Sequence, residues 1–167
     1  MFVEQFYSEF EIEFKGTRRV LENLDFSKFD YKPHPKSFSF RHLALHVANM
    51  PNWGFLTLNS NEYRMNPEEA SLDRDNPQSK EELLESFDKN VNQFMEKLKG
   101  TTEEQMLEVW TLYFQDKALF GQPRHIVLRS SVMNHMIHHR AQLKVYLRMN
   151  DLKVPGLYGP SADDQKF

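Results

Sequence analysis

Residues 128–149 read LRSSVMNHMIHHRAQLKVYLRM. The stretch holds neither proline nor glycine, so it predicts an unbroken helix. Alternating steps of four and three from Leu128 land on Val132, His135, His139, Gln142, Tyr146 and Met149. These positions form one helical face, apolar at both ends and polar in the middle. A buried polar group without a partner costs roughly 1–3 kcal/mol, so two imidazoles and an amide at the centre of an inward face require one. His135 and His139 are four residues apart and leave the same side of the helix. Neutral imidazoles aimed at one point suit a divalent cation. A lone histidine on an apolar face is more often a core residue with a single hydrogen bond, and the neighbouring His138 shows that histidine recurs in this helix for other reasons. The pair therefore needs a third ligand from elsewhere in the chain.

The rest of the composition bounds what that site can be. The 167 residues suit one domain, 1–167, with 151–167 as a turn-rich tail. Forty per cent hydrophobic residues and 14 phenylalanines predict an aromatic-rich core. A net charge of −3 with no basic stripe excludes the usual nucleic-acid footprint. No run of 18 apolar residues exists to span a membrane, and the acidic start MFVEQFYSEFEIEF does not read as a signal peptide. A cytoplasmic location is the expectation. There is no cysteine, so any metal must be held by histidines and carboxylates.

Upstream, residues 2–24 carry four-three spacing through Val3, Tyr7, Phe10, Phe14, Thr17, Leu21 and Leu24, a first helix whose face is core. Pro33 and Pro35 mark a loop. Ser37 or Ser39 can cap a second helix, in which Leu43, His46, Met50, Trp53 and Thr57 share one face. His46 therefore points inward, while His42 lies at the boundary. Pro51 within that helix predicts a kink just after His46. Residues 61–78 read as a long connection with a short helical turn at 67–70, a crossover before it is a lid. Ser79 and Glu82 open a third helix as a capping box, closed by Gly100. Thr101 to Leu107 adds a short turn. The β-branched and aromatic run from Val109 predicts an extended segment or small hairpin over 109–120, ending at Gly121. Pro123 fits the first turn of the fourth helix. Four amphipathic helices predict an all-α fold, a four-helix bundle. Two of them offer histidines at mid-height, His46 and the pair His135 and His139, an open three-histidine arrangement of catalytic zinc type. No nucleophile elbow or phosphate-cradling glycine loop is present.

Three segments together, LALHVANMPNW, NHMIHHRAQLKVYLR and the tail VPGLYGPSADD, resemble the DinB/YfiT-like superfamily of bacterial four-helix-bundle metalloenzymes. The most specific piece is H-x-x-x-H-R-x-Q-L followed by the V-P-G-x-Y-G-P-S tail. The resemblance implies a divalent metal, zinc or nickel, on His46, His135 and His139, with His138 outside the set, and pairing of the chain as a homodimer. Ala141 stands where many relatives carry glycine. Relatives include thiol S-transferases that use low-molecular-weight thiols such as bacillithiol, and a mycothiol-dependent isomerase. The resemblance thus implies a metal-dependent transfer of a thiol cosubstrate to a small electrophilic substrate. The alternatives are a metal-dependent hydrolase that activates water, and a non-catalytic metal- or small-ligand-binding bundle. Trp53, Gln142 and Tyr146 share faces with the ligands and are expected to line the substrate pocket. No residue is assigned a catalytic role.

Overall fold

The computed structural model describes residues 2–66 and 77–164. The helical turn expected at 67–70 lies outside them. Four helical runs carry most of the chain: α1 (Phe2–Leu21), α2 (Phe40–Asn59), α3 (Lys80–Lys99) and a final run from Arg124 to Met149. A 3-10 turn, Phe26–Lys28, links α1 to α2, and the short helix α4 (Glu103–Leu107) follows α3. Their starts follow from local chemistry. The Ser39 hydroxyl accepts from the His42 amide at 3.1 Å and caps α2. Ser79 does the same for Glu82 at the start of α3, and Glu82 reaches back to the Gln78 amide rather than to the cap residue itself. Thr102 and Gln105 close a complete capping box on α4. Helix α2 runs on through Pro51.

The core between the helices is aromatic. Phe94 of α3 meets Phe10 and Phe14 of α1 edge-on, with ring centroids 4.7 and 5.6 Å apart, the geometry that aromatic quadrupoles favour. Gly54 lets α2 sit against the Phe94 ring, because a Cβ there would stand 2.6 Å from it.

The expected all-α bundle is not what forms. The chain is mostly helical, but it also builds a three-stranded sheet in the order β1 (Glu62–Met65), β2 (Val109–Phe114), β3 (Lys117–Pro123). The hairpin β2–β3 occupies the segment expected to be extended. Its turn places Gln115 at φ 53, and the strands are antiparallel with an irregularity between Leu112 and Tyr113. The strand missed from sequence is β1. It pairs parallel with β2, Glu62 opposite Thr111 and Met65 opposite Phe114. Four residues, EYRM, carry too little pattern to announce a strand, and its partner lies some fifty residues away. Non-local pairing of this kind is settled by tertiary packing.

The last helical run also departs from a plain α-helix. Arg124–Val127 (α5) is α-helical, Leu128–Asn134 is π-helical, and His135–Met149 (α6) is α-helical again. π-helical turns are rare and often mark functional sites. The widened turn rotates the face. The deepest stripe of α6 is Met136, Arg140, Leu143 and Leu147, and the stripe of His135 and His139 runs along its flank, half-buried.

Within residues 151–164 the tail is pinned by its own acidic side chains. Asp163 accepts from the Val154 amide and from Arg148, and Asp164 accepts from the Ser161 amide. These bonds hold Val154, Pro155 and Gly156 buried against the helices.

Candidate metal centre

Three imidazoles from two helices meet at one point. His135 Nε2 lies 3.3 Å from His46 Nε2 and 2.8 Å from His139 Nε2, and one ligand atom of each ring lies within 4.8 Å of the others. Bonds of about 2.0–2.1 Å at tetrahedral angles would separate two nitrogens by about 3.3 Å. The set is therefore close to the spacing a cation would impose, and the three residues could hold a metal ion.

The outer nitrogens are committed in a way that frees the inner ones. Gln142 Oε1, which can only accept, accepts a hydrogen bond from His139 Nδ1–H at 2.8 Å, and the Gln142 amide nitrogen donates to His138 Nε2 at 3.1 Å. A neutral His139 then turns a lone pair at Nε2 toward its two partners. The His135 ring hydrogen-bonds the backbone of Ser131, inside the π-helical turn, while its own amide bonds the Val132 carbonyl. This backing of ligand imidazoles by an amide and a carbonyl is the arrangement that orients metal ligands in general. Charge points the same way. Burial, then the neighbouring rings of His139 and His135, push the His46 pKa down to about 3. Burial is also the main cause of the lowered values of His135 and His139. All three favour the neutral form that metal ligation needs.

A cavity of about 750 Å³ opens beside the rings. The α2 face read from the sequence forms one wall: His46, Met50, Trp53 and Thr57 all line it. Trp110, Leu112 and Phe120 of the sheet form the facing one. His42, Ser130, Ser131, Asn134 and His138 also line it. Of the three residues expected in the pocket, only Trp53 is among those that line it. Gln142 is exposed and backs His139 and His138. Tyr146 is buried, with its hydroxyl on the Phe38 carbonyl at 3.1 Å and its ring edge-on to Tyr31 and Phe40.

The family model described as the DinB family matches residues 1–166. The chain belongs to the DinB family. Its relatives include the uncharacterized protein YrdA of Bacillus subtilis (strain 168), 24% identical over 162 residues, which cover 97% of this chain and 91% of YrdA. A DinB-like protein from Bacillus cereus ATCC 10987 has a similar structure, with a TM-score of 0.69 at 22% identity, covering 93% of this chain and 97% of that one. The DinB-like protein YjoA of Bacillus subtilis gives 0.68 at 20% identity over 98% and 99% of the two chains. At these identities the structural likeness speaks for the DinB fold alone.

Two buried arginines fasten this DinB site, and sequence reading assigned neither. Arg140, 2% exposed, bonds the Glu13 carbonyl and Thr17 Oγ1 through Nη1 and Glu13 Oε2 and Tyr158 Oη through Nη2. It ties α6 to α1 and to the tail one residue after His139. Its sign in the sequence is a lone cation in the apolar stripe Met136, Leu143 and Leu147. Arg124, 5% exposed, bonds the carbonyls of Thr57, Ser60 and Gln105 and the side chains of Glu108 and Asn61. It gathers the end of α2, the end of α4 and the approach to β1. The third unforeseen residue is Trp110. It is 1% exposed, and its indole Nε1 is the one buried side-chain nitrogen or oxygen without a hydrogen-bond partner among the described residues. Leaving such a donor unmade costs roughly 1–3 kcal/mol.

Proposed function

We propose that this DinB-family chain is a divalent-metal-dependent enzyme, with the ion on His46, His135 and His139 and a small organic substrate in the adjoining cavity. The observation that carries the proposal is the meeting of three imidazole nitrogens, one from α2 and two from α6, at the edge of that cavity. An all-imidazole donor set suits zinc or nickel. When bound, such a cation lowers the pKa of a thiol or a water so that it acts as a nucleophile near neutral pH. The reading we favour is thiol S-transfer from a low-molecular-weight thiol, supported by the resemblance of the histidine and tail motifs to a superfamily that includes thiol S-transferases. The sulfur bonds to the electrophilic carbon, the thiol proton passes to solvent, and the leaving group departs with its bonding pair. The contribution of the protein's own residues is orientation: Gln142 and the Ser131 backbone hold the rings, and the apolar wall excludes competing water. Among the described residues no helix is long and apolar enough to cross a membrane. A cytoplasmic homodimer completes the proposal, and light scattering on the purified protein tests its mass.

The experiment is cobalt substitution followed by titration with 2-mercaptoethanol. Thiolate coordination is expected to add a charge-transfer band to the visible spectrum. His139→Ala is expected to lose metal uptake while keeping its helical circular dichroism. No band with a thiol shifts the reaction to water activation and hydrolysis. No metal uptake by the parent protein overturns the reading and leaves a small-ligand-binding bundle.

A further inference from the structure

We propose that the sheet face over the cavity selects the substrate: the site takes a molecule with an uncharged, apolar body, an aryl or long alkyl group lying along Leu112 and Phe120, whose reactive end meets the histidines. That the body belongs to a substrate rests on the metal reading above. That the cavity takes such a body stands without it.

The two faces of the sheet carry the inference. Side chains alternate along a strand, so Trp110 and Leu112 of β2 turn to the cavity while Val109, 57% exposed, turns away. Leu112 stands opposite Phe120 of β3 and Tyr63 of β1. The charges of β1 lie on the other face. Arg64 bonds Glu62 at 2.8 Å and lies over the Tyr113 ring, and these three residues alternate with Tyr63, Met65 and Leu112. No lysine, arginine, aspartate or glutamate among the described residues lines the cavity. Across from the sheet the Thr57 hydroxyl is spent on the Trp53 carbonyl at 2.8 Å. The other polar lining residues, Ser130, Ser131, Asn134 and the histidines, all stand on helices. A charged body along the sheet would therefore lose its hydration and find no counter-ion. An apolar body gains instead, because Met65, Leu112 and Phe120 are only half-buried and leave apolar surface for a ligand to cover.

The test uses two fluorescent probes that differ by one charged group. N-phenyl-1-naphthylamine is expected to bind the metal-free protein with enhanced, blue-shifted emission. 8-Anilinonaphthalene-1-sulfonate, the same body with a sulfonate, is expected to bind at least about tenfold more weakly. Leu112→Glu should weaken the neutral probe by about tenfold or more, while Val109→Glu, on the other face of the same strand, should leave it unchanged. No binding of the neutral probe, equal binding of the sulfonate, or a neutral-probe affinity that survives Leu112→Glu overturns the proposal. If Leu112→Glu does not fold, nuclear Overhauser contacts between the neutral probe and the Leu112 methyls of the parent protein decide, and their absence overturns it. In the zinc-loaded protein, 4-phenylbenzohydroxamic acid is expected to bind about tenfold or more tightly than acetohydroxamic acid, and an advantage that survives Leu112→Glu overturns the placement of the body. Zinc titrated alone reports on the metal reading separately, since its failure leaves the metal-free arm intact.

Discussion

The two walls of the cavity were made differently. The helical wall carries the candidate metal ligands, His46 from α2 and His135 and His139 from the last helix, the outer nitrogens of His139 and His135 held by a side-chain amide and a backbone carbonyl. The sheet wall of Trp110, Leu112 and Phe120 has no titratable group. Each wall also has its own buried arginine. Arg140 binds α6 to α1 beside the histidines, and Arg124 binds the ends of α2 and α4 where the sheet begins. The contrast teaches a division of labour. Helices aim imidazole nitrogens at fixed spacing, and a sheet laid across them supplies apolar area.

Acid should separate the walls most sharply. In the unfolded chain the His46 imidazole takes up a proton near pH 6.5. In the folded chain burial and the neighbouring rings hold it neutral down to about pH 3. Its contribution to stability is therefore complete above about pH 6.5 and is lost as the pH falls through that window, by about 1.4 kcal/mol per unit for one such group. Urea unfolding of metal-free protein between pH 7 and 4 should show this slope, and His46→Gln should flatten it. An equally steep slope in the variant would mean that groups other than His46 dominate the acid response.

Truncating the two arginines compares their fastenings next. Arg140→Ala removes one half of a buried pair and leaves the Glu13 carboxylate, whose side chain is only 12% exposed, without its cation. The expected loss is about 3–5 kcal/mol by chemical denaturation. Arg124→Ala leaves Glu108 with 55% of its side chain in water, so the cost is mainly stranded carbonyls, about 1–3 kcal/mol. Equal losses would show that the salt-bridge partner's burial does not set the difference.

The smallest effect on folding is expected at Gln142→Ala, below about 0.5 kcal/mol for an exposed side chain. Its effect on the site should be larger. Without the acceptor for His139 Nδ1 the ring loses its fixed tautomer, and zinc affinity measured by calorimetry should fall about 10–100-fold. Unchanged affinity would mean that the π-helical turn and the packing alone orient His139.

Much of the helical wall is legible in the sequence. Four-three spacing placed His46 with Met50, Trp53 and Thr57, and all four line the cavity. The i, i+4 step placed His135 with His139, and their Nε2 atoms lie 2.8 Å apart. Gln142 and Tyr146 follow His139 along the same α-helix α6, and neither is among the residues that line the cavity. Gln142 instead backs the ligands and Tyr146 packs against Tyr31 and Phe40.

Local pattern settled what depends on a residue's own segment: which side of a helix an imidazole leaves, which serine caps α3, and the motifs that carry the family. Tertiary structure alone decided the rest. The strand Glu62–Met65 exists because Thr111–Phe114 lies beside it. Arg140 is buried because Glu13, Thr17 and Tyr158 surround it. Trp110 acquires an unpaired indole N–H only when the hairpin closes over the helices. The physical reason is common to all three. Periodicity specifies direction within one segment, whereas burial and hydrogen-bond satisfaction depend on atoms that distant segments bring, and the cost of those encounters is set in the folded whole.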